Sequence, residues 1–126
     1  MVLVDSTIWI EFLKSNPAYL DEMETLLEGK NVFAIEPVFA ELVYGSRSEK
    51  ERSRIISYWK VLPKISFGDG SLLESAEYAN KNNFHNRGIG LIDSILINAT
   101  IETKCLIWTL DKKILNFLDK KYLYKS

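Results

Sequence analysis

Val2-Leu3-Val4-Asp5-Ser6-Thr7, continued by Ile8-Trp9-Ile10-Glu11-Phe12-Leu13, opens the chain with the unit from which its architecture can be read. Three apolar residues, two of them β-branched, predict a buried strand, and Ile8, Trp9, Phe12 and Leu13 then fall on one helical face. Asp5 stands where strand gives way to helix. The same step recurs downstream. Val32 to Ile35 is strand-like, and Pro37 can open a helix that runs through Tyr44 and closes at Gly45. Cys105 to Thr109 reads as a buried strand, followed by a helix from Lys112 to Leu118 with Asp111 before it.

Helices fill most of the remainder. Asn16 caps and Pro17 begins a helix whose stripe is Leu20, Met23, Leu26 and Leu27, with Gly29 as its stop. Ser48 to Trp59 is charged on one side and carries Ile55, Ile56 and Trp59 on the other, as an exposed amphipathic helix does. Val61 to Phe67 is a candidate short strand. Ser71 and Glu74 form a capping box ahead of a helix ending near Asn82; Asn82 to Gly90 reads as a loop, and Leu91 to Glu102 as a strong helix. Strands alternating with helices predict an α/β fold with a mainly parallel central sheet, because parallel neighbours need crossover connections.

The chain has 126 residues, 47% hydrophobic, 26% charged and 12% aromatic, a length that suits a single domain over 1–126. One cysteine, Cys105, excludes a disulfide framework and a cysteine cage for zinc. Sixteen basic against seventeen acidic residues give a formal charge of −1, which excludes a polybasic nucleic-acid binder but leaves room for a local site. The apolar start lacks a basic leader, and no run is long enough to span a membrane. A soluble, cytoplasmic protein is expected.

Four carboxylates stand out. Glu41 is the one charged residue between Pro37 and Tyr44. An ionised carboxylate there must find a cation, take up a proton, or reach water from the edge of the fold, and the sequence leaves these open. In helix 91–102, Ser94, Asn98 and Glu102 form one polar stripe, and Asp93 lies about 140° from its centre, on the side of Leu96 and Ile97. Favourable placement in the first turn explains its position along the helix but not its face. Asp5 and Asp111 each follow an apolar strand; taken singly, helix capping is the simpler account of both. Taken together, parallel strands bring their carboxyl ends to one rim, where ligands of open α/β sheets bind. Four anions at one rim repel, and a hard divalent ion such as magnesium or manganese resolves both repulsion and burial. Metal-assisted phosphodiester cleavage is the chemistry that suits such a cup.

Val-Leu-Val-Asp-Ser-Thr (2 to 7), the Pro37 to Gly45 segment around Ala40-Glu41-Leu42, Ile89-Gly90-Leu91-Ile92-Asp93, and Trp108-Thr109-Leu110-Asp111 resemble PIN-domain ribonucleases, above all VapC-type toxins of toxin/antitoxin pairs. The resemblance covers nearly the whole chain, with the motifs in order. It implies a three-layer α/β/α sandwich and a magnesium- or manganese-dependent endoribonuclease whose catalytic, metal-holding acids are Asp5, Glu41, Asp93 and Asp111. It implies that Ser6 and Thr109 hold carboxylates or waters by hydrogen bonds, and that hydrolysis of RNA leaves a 5′-phosphate and a 3′-hydroxyl. Partners so implied are RNA, a second copy in a homodimer, and a small antitoxin, for which Trp9, Phe12 and Tyr44 are candidate anchors; Phe12 reads first as core. Glu36 departs from the pattern, since relatives commonly carry a small or hydroxyl residue there.

Weaker signals are few. His85, the sole histidine, gives poor support to a histidine base and reads as a surface residue. Lys112, Lys113, Arg87 and the mixed-charge run Arg47 to Arg54 are candidate RNA contacts, though solvated surface is the plainer reading of each. Two other classes compete: a PIN-like binding module without catalysis, which the presence of all four acids disfavours, and a phosphoacceptor receiver domain. A receiver needs an adjacent acidic pair after the first strand and a mid-chain aspartate at a strand end; Asp5-Ser6 and Lys64-Ile65-Ser66 supply neither.

Overall fold

Val2–Val4 (β1), Val32–Ile35 (β2), Lys64–Ile65 (β3) and Leu106–Trp108 (β4) pair in parallel in the order β3-β2-β1-β4 in the computed structural model, which describes residues 1–125. Register is set by apolar partners: Val2 opposite Val32, Leu3 opposite Phe33 and Ile107, and Val4 opposite Trp108. The strands are nearly wholly apolar, with Leu3, Val32 and Ile107 completely buried, as expected of a parallel sheet covered on both faces.

Helices Ser6–Leu13 (α1), Pro17–Glu28 (α2), Glu36–Tyr44 (α3) and Glu49–Val61 (α4) connect β1 to β2 to β3. Right-handed crossovers in one direction place them on one face. Helices Ser71–Lys81 (α5) and Leu91–Thr103 (α6) carry the chain back past β2 to the far side of β1, and so cover the other face. Lys112–Phe117 (α7) closes the order. The expected α/β/α sandwich with a parallel sheet is thus the observed architecture.

Local chemistry explains most boundaries. Asn16 accepts from the Ala18 amide ahead of Pro17, and Ser48 from the Glu51 amide at the start of α4. Four details depart from the sequence expectation. The capping box at Ser71 does not form: Gly70, at φ 82°, precedes the helix, and Ser71 is its first helical residue. Val61 to Phe67 contributes only the two residues of β3, because Val61 completes α4 and the chain leaves the sheet after Ile65. The 82–90 segment is not a plain loop; Phe84–Arg87 forms a 3-10 turn whose Phe84 is 1% exposed and packs edge-on to Phe117 at 4.5 Å and Tyr78 at 5.6 Å. After α7 the tail docks beside β4, where the Tyr124 amide donates to the Ile107 carbonyl and Leu123 bridges Ile107 in parallel.

Trp9 (1% exposed) and Phe12 (2%) belong to a core aromatic cluster with Phe39 and Tyr58, so neither offers a surface anchor. Tyr44, at 94% exposed, does face solvent. Among the described residues no helix is long and apolar enough to cross a membrane.

Candidate functional site

The strand order reverses between β1 and β4: the chain runs outward from β1 through β2 to β3, then returns to β1's other side. Such a switch point opens a crevice at the carboxyl ends of the two strands. Asp5 and Thr109 are the residues that follow the paired Val4 and Trp108, and the Asp5 amide donates to the Trp108 carbonyl at 2.9 Å. Chains adjacent at that register put the two side chains together, and the Thr109 hydroxyl donates to Asp5 Oδ2 at 2.6 Å.

Asp5 is 3% exposed and well supplied with donors. Its Oδ1 accepts from the Ser6 amide at 2.7 Å, so capping of α1 is part of its role; the Ser6 hydroxyl is more distant, at 3.4 Å. Its Oδ2 accepts a second hydroxyl besides Thr109, that of Thr7 at 2.8 Å. Thr109 thus holds a carboxylate by a direct hydrogen bond. Of the two hydroxyls after Asp5, Thr7 makes the shorter bond, whereas Ser6 binds chiefly through its backbone. The local signal for Thr7 was slight, since adjacent serine and threonine differ only in which one the first helical turn aims back at the carboxylate.

Asp111 likewise caps a helix, α7, by accepting from the Lys113 amide at 2.8 Å, while its own amide donates to the Thr109 hydroxyl at 3.0 Å. Capping and membership of the cluster are therefore compatible, because a carboxylate has two oxygens. Asp93 stands in the first turn of α6, whose amino end lies at the carboxyl edge of the sheet because α6 runs back toward the start of β4. Leu96 and Ile97, on its side of the helix, are completely buried, and Asp93 itself is partly buried. The Ser94 and Asn98 stripe turns the other way, under α5, where Asn98 donates to the Ser75 hydroxyl at 3.1 Å.

Burial, followed by the charges of Asp5, Asp111 and Glu41 and a hydrogen bond to Asp111, pushes the Asp93 pKa up from 3.8 to about 6. Glu41 sits on the outer side of α3 and reaches water, so the edge placement left open by the sequence is the one observed. Even so, partial desolvation and then the charge of Asp5 raise its pKa. Each of these shifts records other carboxylates nearby. Among the described residues the ion pairs are Lys81 with Glu77 and Lys125 with Glu22, and neither neutralises any of the four acids.

The donor chemistry of this rim is oxygen-only: His85 is exposed on the 3-10 turn and Cys105 is buried at the opposite end of β4. No three acidic, histidine or cysteine side chains among the described residues stand close enough to ligate one ion. The four acids are thus not drawn into one ligand set; a magnesium ion, which keeps several waters, needs only one or two carboxylates from the protein. Glu36, Lys112, Lys113 and Arg87 are exposed; Arg87 lies over the Phe117 ring at 5.3 Å.

Solved structures that share this fold include two of similar length. VapBC2 from Rickettsia felis, bound to a DNA fragment from its promoter, matches with a TM-score of 0.71 and 18% identity over 98% of this chain and 96% of that one. FitAcB from Neisseria gonorrhoeae matches with a TM-score of 0.55 and 14% identity over 92% of this chain and 91% of that one. No curated protein matches the chain in sequence. The PIN domain family model, by contrast, matches residues 2–120, from the first strand to beyond α7. That match removes the receiver alternative, and with the strand order and the acidic switch point it identifies the chain as a member of the PIN domain family.

Proposed function

We propose that the protein is a magnesium- or manganese-dependent endoribonuclease acting as the VapC-like toxin of a toxin/antitoxin pair. The observation that carries this reading is the joining of Asp5 and the Asp111 backbone across the switch point by the Thr7 and Thr109 hydroxyls, with Asp93 feeling the charges of Asp5, Asp111 and Glu41 and no ion pair to these acids among the described residues. A fold stores such repulsion when a ligand removes it, and perturbed acids in a crevice mark candidate sites.

A divalent ion held there by one or two of Asp5, Asp93 and Asp111 would supply a Lewis acid for the scissile phosphate, the attacking water and the leaving oxygen. Asp5, held by Thr7 and Thr109, presents a fixed carboxylate at the floor. Asp93, partly buried, and Asp111, whose amide is held by Thr109, adjoin it, and Glu41 is exposed to solvent. Hydrolysis forms one bond from water oxygen to phosphorus and breaks the bond to the 3′ oxygen, which leaves a 5′-phosphate and a 3′-hydroxyl. No covalent intermediate is needed.

The toxin assignment and an antitoxin partner are supported by the VapBC2 likeness together with the ordered motifs. A homodimer and a cytoplasmic location follow from the same reading. Incubation of labelled RNA with the purified chain in magnesium, manganese or chelator tests it. Metal-dependent products with 5′-phosphate ends are expected from wild type, with a loss of at least a hundredfold in Asp93→Asn and Asp5→Asn. Cleavage that persists in chelator, or in a folded Asp93→Asn, contradicts it; a folded wild type without activity on any RNA favours a binding module.

A further inference from the structure

Thr7 occupies a position that neither capping nor core packing requires. Its hydroxyl is used in both directions: the O–H donates to Asp5 Oδ2 at 2.8 Å, and the oxygen accepts the Leu110 amide at 3.0 Å. The first bond fixes a carboxylate at the end of β1, whereas the second fixes the backbone between Thr109 and Asp111, at the end of β4. Thr109 repeats the arrangement one step along, donating to the same Asp5 oxygen and accepting the Asp111 amide at 3.0 Å. Two hydroxyls thus take consecutive amides of one short loop and converge on one oxygen.

We infer that Thr7 is a positioning residue that sets Asp5 and Asp111 in register across the switch point, and that the site's affinity for a divalent cation depends on it. The inference rests on the proposed metal-dependent reading of this site. A hydroxyl is needed because the group must donate to a carboxylate and accept from an amide at once, which serine and threonine can do and valine cannot. Partners of this kind, touching a ligand rather than the ion, typically change metal affinity by about 10- to 100-fold when removed.

The full chain in three forms, wild type, Thr7→Val and Thr7→Ser, tests this by manganese titration calorimetry and by amide hydrogen exchange without metal. Thr7→Val is expected to bind manganese about tenfold or more weakly and to lose protection at the Leu110 amide. Thr7→Ser should restore both to near the wild-type values. If Thr7→Val does not fold, Thr7→Ala, which admits water to both partners, carries the same comparison. A Thr7→Val protein that binds manganese like wild type, or keeps the Leu110 amide equally protected, overturns the role of Thr7 and leaves the nuclease reading standing. Folded wild type that takes up no manganese overturns the nuclease reading and the metal role of Thr7 with it.

Discussion

Asp93 shows how a single carboxylate carries both a cost and a signal. Its folded pKa of about 6 lies above its ordinary 3.8, so the folded state holds the proton more tightly than the unfolded chain does. The stability this contributes is fully present below the unfolded value and is lost as pH rises through about 6. In metal-free protein, Asp93→Asn should therefore raise stability at pH 7 by about 1 kcal/mol, after allowance for the solvent that screens a half-exposed group. The same substitution should flatten the decline between about pH 4 and pH 6. Thermal melts in chelator across that range check both; an unchanged profile would remove the repulsion from the account. That Asp93 faces inward was legible from its wheel position against Leu96 and Ile97. The exposure of Glu41 was not, because an apolar run in a helix at the rim of a fold looks the same as one in its middle. Thr7 was illegible for a related reason, since only the register of the first turn distinguishes it from Ser6.

Among the elements, the β1, β2 and β4 steps and the helices α1 to α7 were readable from apolar periodicity, capping residues and Pro or Gly punctuation. The misreadings arose where side-chain identity outweighed backbone geometry. Ser71 and Glu74 have the spacing of a capping box, but Gly70 in the left-handed region already turns the chain into α5. Ser71→Ala should accordingly leave stability within about 0.5 kcal/mol of wild type, whereas Gly70→Ala should cost about 1 kcal/mol. Denaturant titration separates the two, and a larger loss in Ser71→Ala would reinstate the capping box. The 82–90 segment misleads in the opposite sense: its Asn and Gly content reads as loop, while one aromatic plugs the core. Phe84→Ala should cost about 3 kcal/mol or more, measurable as a fall in Tm; a change typical of a surface loop would contradict the packing against Phe117. The tail after Leu118 gave no periodic signal because it adds a single bridge to β4 instead of a strand.

At the scale of the whole molecule, the near-neutral charge conceals a division. Setting aside the four rim acids turns the formal −1 into +3, spread thinly over exposed Lys and Arg. A surface of that kind contacts few phosphates, so RNA affinity should fall only about tenfold between 50 and 200 mM salt. Binding isotherms at two ionic strengths check this; a fall of about a thousandfold would point to a dedicated basic track. The architecture concentrates chemistry where strand order reverses, and that placement followed from the parallel sheet. The order β3-β2-β1-β4 itself did not, because apolar strands carry no label for their neighbours.

The most direct measurement is the heat of manganese uptake by folded wild-type protein and by Asp93→Asn under identical conditions. Saturable binding to wild type, weakened at least tenfold in the variant, is the result expected if Asp93 helps to hold a cation at the rim. Absence of saturable heat in wild-type protein whose fold is verified, or equal binding by both, would contradict it.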